Sequence, residues 1–166
     1  MNYWLVKSEP FKYSWDDFVK EGKSVWDGVR NYQARNNMMV MKKGDWVFFY
    51  HSNEGMEVIG LAEVQREYFP DPTTEDPRWV VVELIPVKKF AKTVTLKSMK
   101  ADNRLSGLAL IKQSRLSVTP VAKAEFDIIL SLAEYNMKSI RLFLVLILSS
   151  FISFAQQMKR IEIIAG

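Results

Sequence analysis

Along residues 1–134 the hydrophobic pattern switches repeatedly between a two-residue and a 3.6-residue period. Tyr3-Trp4-Leu5-Val6 is apolar and aromatic and stops at Ser8-Glu9-Pro10, which predicts an opening strand over 3–6. Ser14 with Asp17 three residues later makes a capping-box-like start for a short helix that Gly22 ends. Polar residues leading into Met38, Met39, Val40 and Met41 predict a helix over 31–43, closed at Gly44. The aromatic run 45–51 predicts a strand, Ser52-Asn53-Glu54-Gly55 a turn, and 58–64 the partner strand. Three prolines make 69–78 a loop, after which 79–87 reads as a third long strand. Thr95 caps a short helix over 96–100, and 116–118 is a short strand. Phe126, Ile129, Leu130 and Ala133 keep helical spacing over 125–133, while 105–110 is apolar without a clear period. Strands and short helices mixed in this way predict an α+β domain around a small β-barrel flanked by helices.

Beyond residue 134 the pattern changes. Lys138 and Arg141 precede an uncharged apolar run over 142–155, and Ser153-Phe154-Ala155 gives a small-x-small site before Gln156. This is the layout of a secretory signal peptide, placed mid-chain. The division expected is therefore a domain over 1–134 and a helical apolar tail over 135–166 that is a run-on or fusion. A membrane anchor over 142–155 and an extra packed helix are the alternatives, although a span wants about 20 apolar residues. No comparable segment precedes Tyr3, so the main domain is expected in the cytoplasm.

Composition narrows the chemistry. With 7 Gly, 6 Pro and 48% hydrophobic residues in 166, collagen-like and low-complexity classes are excluded. The absence of cysteine removes disulfide frameworks, thiolate nucleophiles and cysteine-held metals, and a single histidine removes multi-histidine metal sites. Neither a metal nor a cofactor is expected. The net charge of +4 is mostly a property of the tail: residues 1–134 carry 19 Lys+Arg against 18 Asp+Glu, and 135–166 carry 4 against 1. Nucleic-acid binding by the domain must then rest on local charge placement.

The segment Trp26-Asp27-Gly28-Val29-Arg30-Asn31-Tyr32-Gln33-Ala34-Arg35-Asn36-Asn37 sets aromatics, amides and two arginines at a loop-to-helix junction. Helix-start N–H groups and arginines suit phosphate, and side-chain amides suit a base edge. A solvated capping loop with Trp26 as a core aromatic explains the same composition. His51, after Tyr50 and before Ser52, offers a general base with Glu9 or Asp27 orienting it and Ser8 or Ser52 as nucleophile, or a plain turn residue. Lys7-Ser8-Glu9-Pro10 and Gln113-Ser114-Arg115-Leu116-Ser117 are polar tips of apolar runs, and they meet at one mouth if the first and last strands are neighbours in a closed barrel.

These strings, with Phe49-Tyr50-His51-Ser52-Asn53 and Gly60-Leu61-Ala62-Glu63-Val64, resemble the EVE domain family in order over residues 2 to about 133. The tail has no counterpart in that pattern. The resemblance implies a PUA-like fold, similar also to YTH domains, which hold a methylated adenine in an aromatic cage. It implies a non-enzymatic reader of modified bases, 5-methylcytosine or 5-hydroxymethylcytosine, in DNA or RNA. Position by position, Trp26 after Val25 matches the cage tryptophan, and Lys7-Ser8 match the pair ending the first strand. Val29, Arg30, Asn31, Tyr32, Arg35 and Asn36 fall in the pocket segment, and Tyr50, His51 and Ser52 are further ligand-binding candidates. Ser114-Arg115 match a pair near the phosphate path, and Trp79 is a second cage wall on a looser alignment. An enzyme acting on a nucleotide or RNA-derived small molecule through His51 and a protein-interaction adaptor remain the alternatives.

Overall fold

The computed structural model describes residues 1–134, which form one compact unit; the readings made for 135–166 lie outside the described residues. Six strands make one sheet: β1 (Tyr3–Ser8), β2 (Ser24–Val25), β3 (Trp46–His51), β4 (Glu57–Pro70), β5 (Val80–Thr95) and β6 (Val118–Val121). Their spatial order is β2-β5-β4-β3-β1-β6. Only β1 and β3 run parallel, and the other neighbours are antiparallel. The helices are α1 (Trp15–Glu21), α2 (Tyr32–Val40), α3 (Leu96–Ala101), α4 (Ala109–Lys112) and α5 (Lys123–Leu132), with a 3₁₀ turn at Asn103–Leu105. Among the described residues no helix is long and apolar enough to cross a membrane.

The closed barrel is not formed. β2 and β6 are sheet edges with no ladder between them, so the fold is an open mixed sheet with short helices on both faces. β1 and β6 are neighbours, and their tips do meet: the Lys7 N–H donates to the Ser117 carbonyl at 2.9 Å. Alternation along β3 sends Val47 and Phe49 into a core with Trp15, Phe18 and Met38, while Phe48 stacks on Phe126 at 4.5 Å on the other side.

Several element bounds moved for local reasons. Ser14 and Asp17 form the reciprocal capping box, and Gly22 ends α1 in the left-handed region at φ 75°. α2 stops at Val40, three residues short of expectation, because the Asp45 carboxylate takes the Lys42 N–H at 3.0 Å and turns the chain into β3. β4 and β5 both run past their expected ends by pairing with each other through bulges. The last strand sits at Val118–Val121 rather than 116–118, with Pro120 tolerated on an edge strand. The unassigned 105–110 stretch ends the 3₁₀ turn and begins α4.

Gly60 in β4 has no room for a side chain. A β-carbon there would stand 2.6 Å from the Lys88 carbonyl oxygen and 2.7 Å from the Trp15 ring. Gly60→Ala is expected to destabilise the fold by about 1–3 kcal/mol or more, since backbone is what must move. Urea unfolding should show a lower midpoint than wild type, and an unchanged midpoint contradicts the packing described.

Candidate functional site

Two glycines with positive φ, Gly22 at 75° and Gly28 at 70°, bracket the short β2 and the residues after it. The Trp26 N–H donates to the Val82 carbonyl at 2.8 Å, which ties this segment to β5. Past Gly28 the chain turns, Val29 is buried, and Asn31 caps α2 by accepting the Ala34 N–H at 3.0 Å. Between this segment, the end of β1 and the Lys12–Tyr13 turn lies a cleft of about 630 Å³.

Trp26 lines the cleft with only 8% of its surface exposed. Behind it the Phe49 ring lies 5.6 Å away at 83° and the Tyr13 ring 6.4 Å away at 72°. Burial pushes the Tyr13 hydroxyl up to about 12, and it donates to Glu21 at 2.7 Å. Lys7, Lys12, Lys23 and Arg30 face Glu9, Glu21 and Asp27 around the lining. Lys7 donates to the Ser114 carbonyl at 2.8 Å, and burial lowers its pKa below the ordinary lysine value.

The sequence-derived candidates separate into four places. Lys7, Ser8, Trp26, Val29 and Arg30 share the cleft. Asn31, Ser114 and Arg115 line a second depression of about 360 Å³, where the Asn31 amide oxygen is already spent on the helix cap. Tyr32, Arg35 and Trp79 form a stack outside the cleft lining, with Tyr32 exposed and the other two half-buried. Tyr32 and Trp79 lie 5.2 Å apart at 27°, with the Arg35 guanidinium 5.0 Å over Tyr32 and that of Arg30 5.5 Å over Trp79. Asn36 joins this stack by accepting from Arg35 at 2.6 Å. Tyr50, His51 and Ser52 line none of these. Tyr50 is buried, and that burial, with the Glu57 charge, pushes its hydroxyl up to about 12. Ser52 donates both its N–H (2.8 Å) and its hydroxyl (3.2 Å) to the Ser8 carbonyl.

His51 accepts the Trp15 N–H on Nε2 at 3.2 Å, at the start of α1. Neither Glu9 nor Asp27 bonds it: Glu9 pairs with Lys12 at 2.8 Å. Among the described residues no group of three or more His, Asp or Glu is placed to hold a metal ion.

Sequence reasoning missed Asp71. It is 3% exposed, accepts from Arg30 Nη1 at 2.8 Å and from the Thr73 N–H at 2.8 Å, and so holds the Arg30 guanidinium beside Thr73 and over Trp79. Burial alone would raise its carboxyl, but the Thr73 and Arg30 hydrogen bonds hold it below the ordinary carboxylate value. Its signal was present in Asp71-Pro72-Thr73, an Asx-turn pattern inside the proline loop. Tyr13 and Lys23 also line the cleft, and nothing in their spacing marked them.

The EVE domain model matches residues 2–132. The chain belongs to the EVE domain family. Thymocyte nuclear protein 1 of the mouse, Mus musculus, is 36% identical over 80% of this chain and 74% of its own length. The solution structure of Rpa0253 from Rhodopseudomonas palustris is 45% identical, with a TM-score of 0.77 over 81% of this chain and 94% of that one. Human THYN1, solved in complex with 5-methylcytosine-containing DNA, is 32% identical, with a TM-score of 0.76 over 82% of this chain and 99% of that one. The YTH domain of Zygosaccharomyces rouxii MRB1 is 15% identical with a TM-score of 0.53 over 81% of this chain and 87% of that one, a likeness of fold.

His51 generates a pH prediction. Burial lowers the imidazole below its ordinary 6.5 despite the upward pull of Glu57 and Asp16, with Lys89 adding to the lowering. A depressed folded pKa means the unfolded chain binds the proton more readily, so stability falls as pH drops below about 6.5. With one histidine in the chain, that loss is assignable. Urea midpoints at pH 7.5 and 5.0 should differ more in wild type than in His51→Gln; equal differences contradict the neutral-acceptor role.

Proposed function

We propose that this EVE domain is a non-enzymatic reader of a modified cytosine, seating 5-methylcytosine or 5-hydroxymethylcytosine from DNA or RNA in the cleft beside Trp26. The observation that carries the reading is the human relative solved with 5-methylcytosine-containing DNA, joined to a cleft here that offers an aromatic wall of Trp26 and Tyr13 and a lining of mixed charge with Lys7 and Arg30 in it. A base must leave its stack to enter, at a cost of a few kcal/mol. Stacking on an aromatic face returns about 1–3 kcal/mol per base. Lys7, Arg30 and Arg115 then hold phosphate, the last two from surfaces on either side of Asn31.

The near balance of charge over 1–134 supports selective reading over general coating, because nonspecific affinity scales with phosphates neutralised. A binding role is also favoured over catalysis at His51, whose Nε2 is committed to the Trp15 N–H. In this reading the cage has Trp26 as its wall, and Trp79 serves with Tyr32 as an outer platform for a flanking base or the backbone.

Fluorescence anisotropy of the full chain against labelled single strands tests this. The strands carry cytosine, 5-methylcytosine or 5-hydroxymethylcytosine at one position, each as DNA and as RNA. Wild type is expected to prefer a modified strand, and Trp26→Leu, with its fold checked by circular dichroism, to lose roughly 10- to 100-fold of that affinity. Equal affinity for every strand, or a preference that survives Trp26→Leu, overturns the assignment.

A further inference from the structure

Reading 5-methylcytosine in DNA poses a discrimination problem that the cleft must solve. Thymine carries a methyl group at the same ring position on a ring of the same outline, so a cavity that senses the methyl alone accepts both. The two bases differ at the four-position, an amino donor in cytosine and a carbonyl acceptor in thymine. A hydrogen-bond acceptor facing that position favours the first and repels the second.

The cleft holds three carboxylates. Glu9 is paired with Lys12 at 2.8 Å, and Glu21 accepts the Tyr13 hydroxyl at 2.7 Å. The Asp27 carboxylate has no hydrogen-bond or ion-pair partner among the described residues, although Lys23 and Arg30 in the same lining find partners in Glu83 and Asp71. Asp27 also follows Trp26 directly, with its N–H bonded back to the Val25 carbonyl at 3.0 Å and the chain turning at Gly28 beside it. The anion with unspent acceptor capacity therefore stands next to the aromatic wall.

We propose that Asp27 is the residue that selects cytosine: its carboxylate accepts from the exocyclic amine of the base at Trp26 and rejects the four-position carbonyl of thymine or uracil. This rests on the modified-cytosine reading above. One well-placed contact of this kind is worth roughly 10- to 100-fold in discrimination. An asparagine in its place presents both a donor and an acceptor, so it accommodates either base.

The test is competition anisotropy with the full chain and strands carrying 5-methylcytosine, cytosine, thymine or uracil at one position. Wild type, Asp27→Asn and Asp127→Asn are compared; Asp127 pairs with Lys123 on α5 and reports the general effect of removing one negative charge. The expected result is a preference of 5-methylcytosine over thymine that falls roughly 10- to 100-fold in Asp27→Asn and persists in Asp127→Asn. An unchanged ratio in Asp27→Asn overturns the assignment, as does a wild type that binds 5-methylcytosine and thymine equally. A wild type that binds no modified strand better than cytosine overturns instead the reading on which it rests.

Discussion

The structure turns on Phe49. From the middle of β3 its ring meets Trp15 at 5.3 Å, Phe18 at 5.5 Å, Trp26 at 5.6 Å and Tyr13 at 6.5 Å. Each such pair is worth about 0.5–1.5 kcal/mol beyond burial of area, and together they lock α1, the Tyr13 turn and the Trp26 segment onto one strand. Two of these rings, Tyr13 and Trp26, also line the cleft. The wall of the cleft is therefore a face of the core, held before any ligand arrives. A base that stacks there meets a surface with little reorganisation left to do, which is where preorganised sites gain affinity.

The cleft lies where the sheet stops. Ser8 and Lys7 end β1, Ser117 precedes β6, and β2 at the other edge leads directly into Trp26. Around this gap most charges are partnered within the protein: Lys12 with Glu9, Lys23 with Glu83, Arg30 with Asp71. Exposed pairs of this kind add little stability, each about 0–1 kcal/mol. Asp71 differs, being buried, and it fixes where Arg30 points.

Much of this was readable in advance where a local rule decided the outcome. Ser14 and Asp17 cap α1 because the box is satisfied within four residues, and Phe126, Ile129 and Leu130 mark α5 because one face repeats at helical spacing. Long-range pairing was not readable. Whether β2 would meet β6 depends on bends and bulges along β4 and β5 that no periodicity records, and the barrel expectation failed there. The last strand was expected at 116–118 and lies at Val118–Val121, where Pro120 occupies a sheet edge opposite Trp4. For the site, the Trp26–Asn37 string was recognisable as chemistry-rich, yet its members diverge. Gly28 turns the chain and α2 begins at Tyr32, so Trp26 and Arg30 face one cleft, Asn31 another depression and Tyr32 an outer stack. Asp71 was legible only as a turn, because its partner Arg30 stands 41 positions away.

The central claim is a location: the proposed modified cytosine would sit against Trp26, between the segment that follows β2 and the C-terminal end of β1. Amide shift mapping of the ¹⁵N-labelled chain, titrated with a single strand carrying one 5-methylcytosine, tests that location directly. The predicted result is that the largest shifts fall at Ser8, Trp26 to Arg30 and Ser117, including the Trp26 indole. Shifts centred instead on the groove of Tyr3, Val40, Pro120 and Lys123 at the other end of β1 would contradict it.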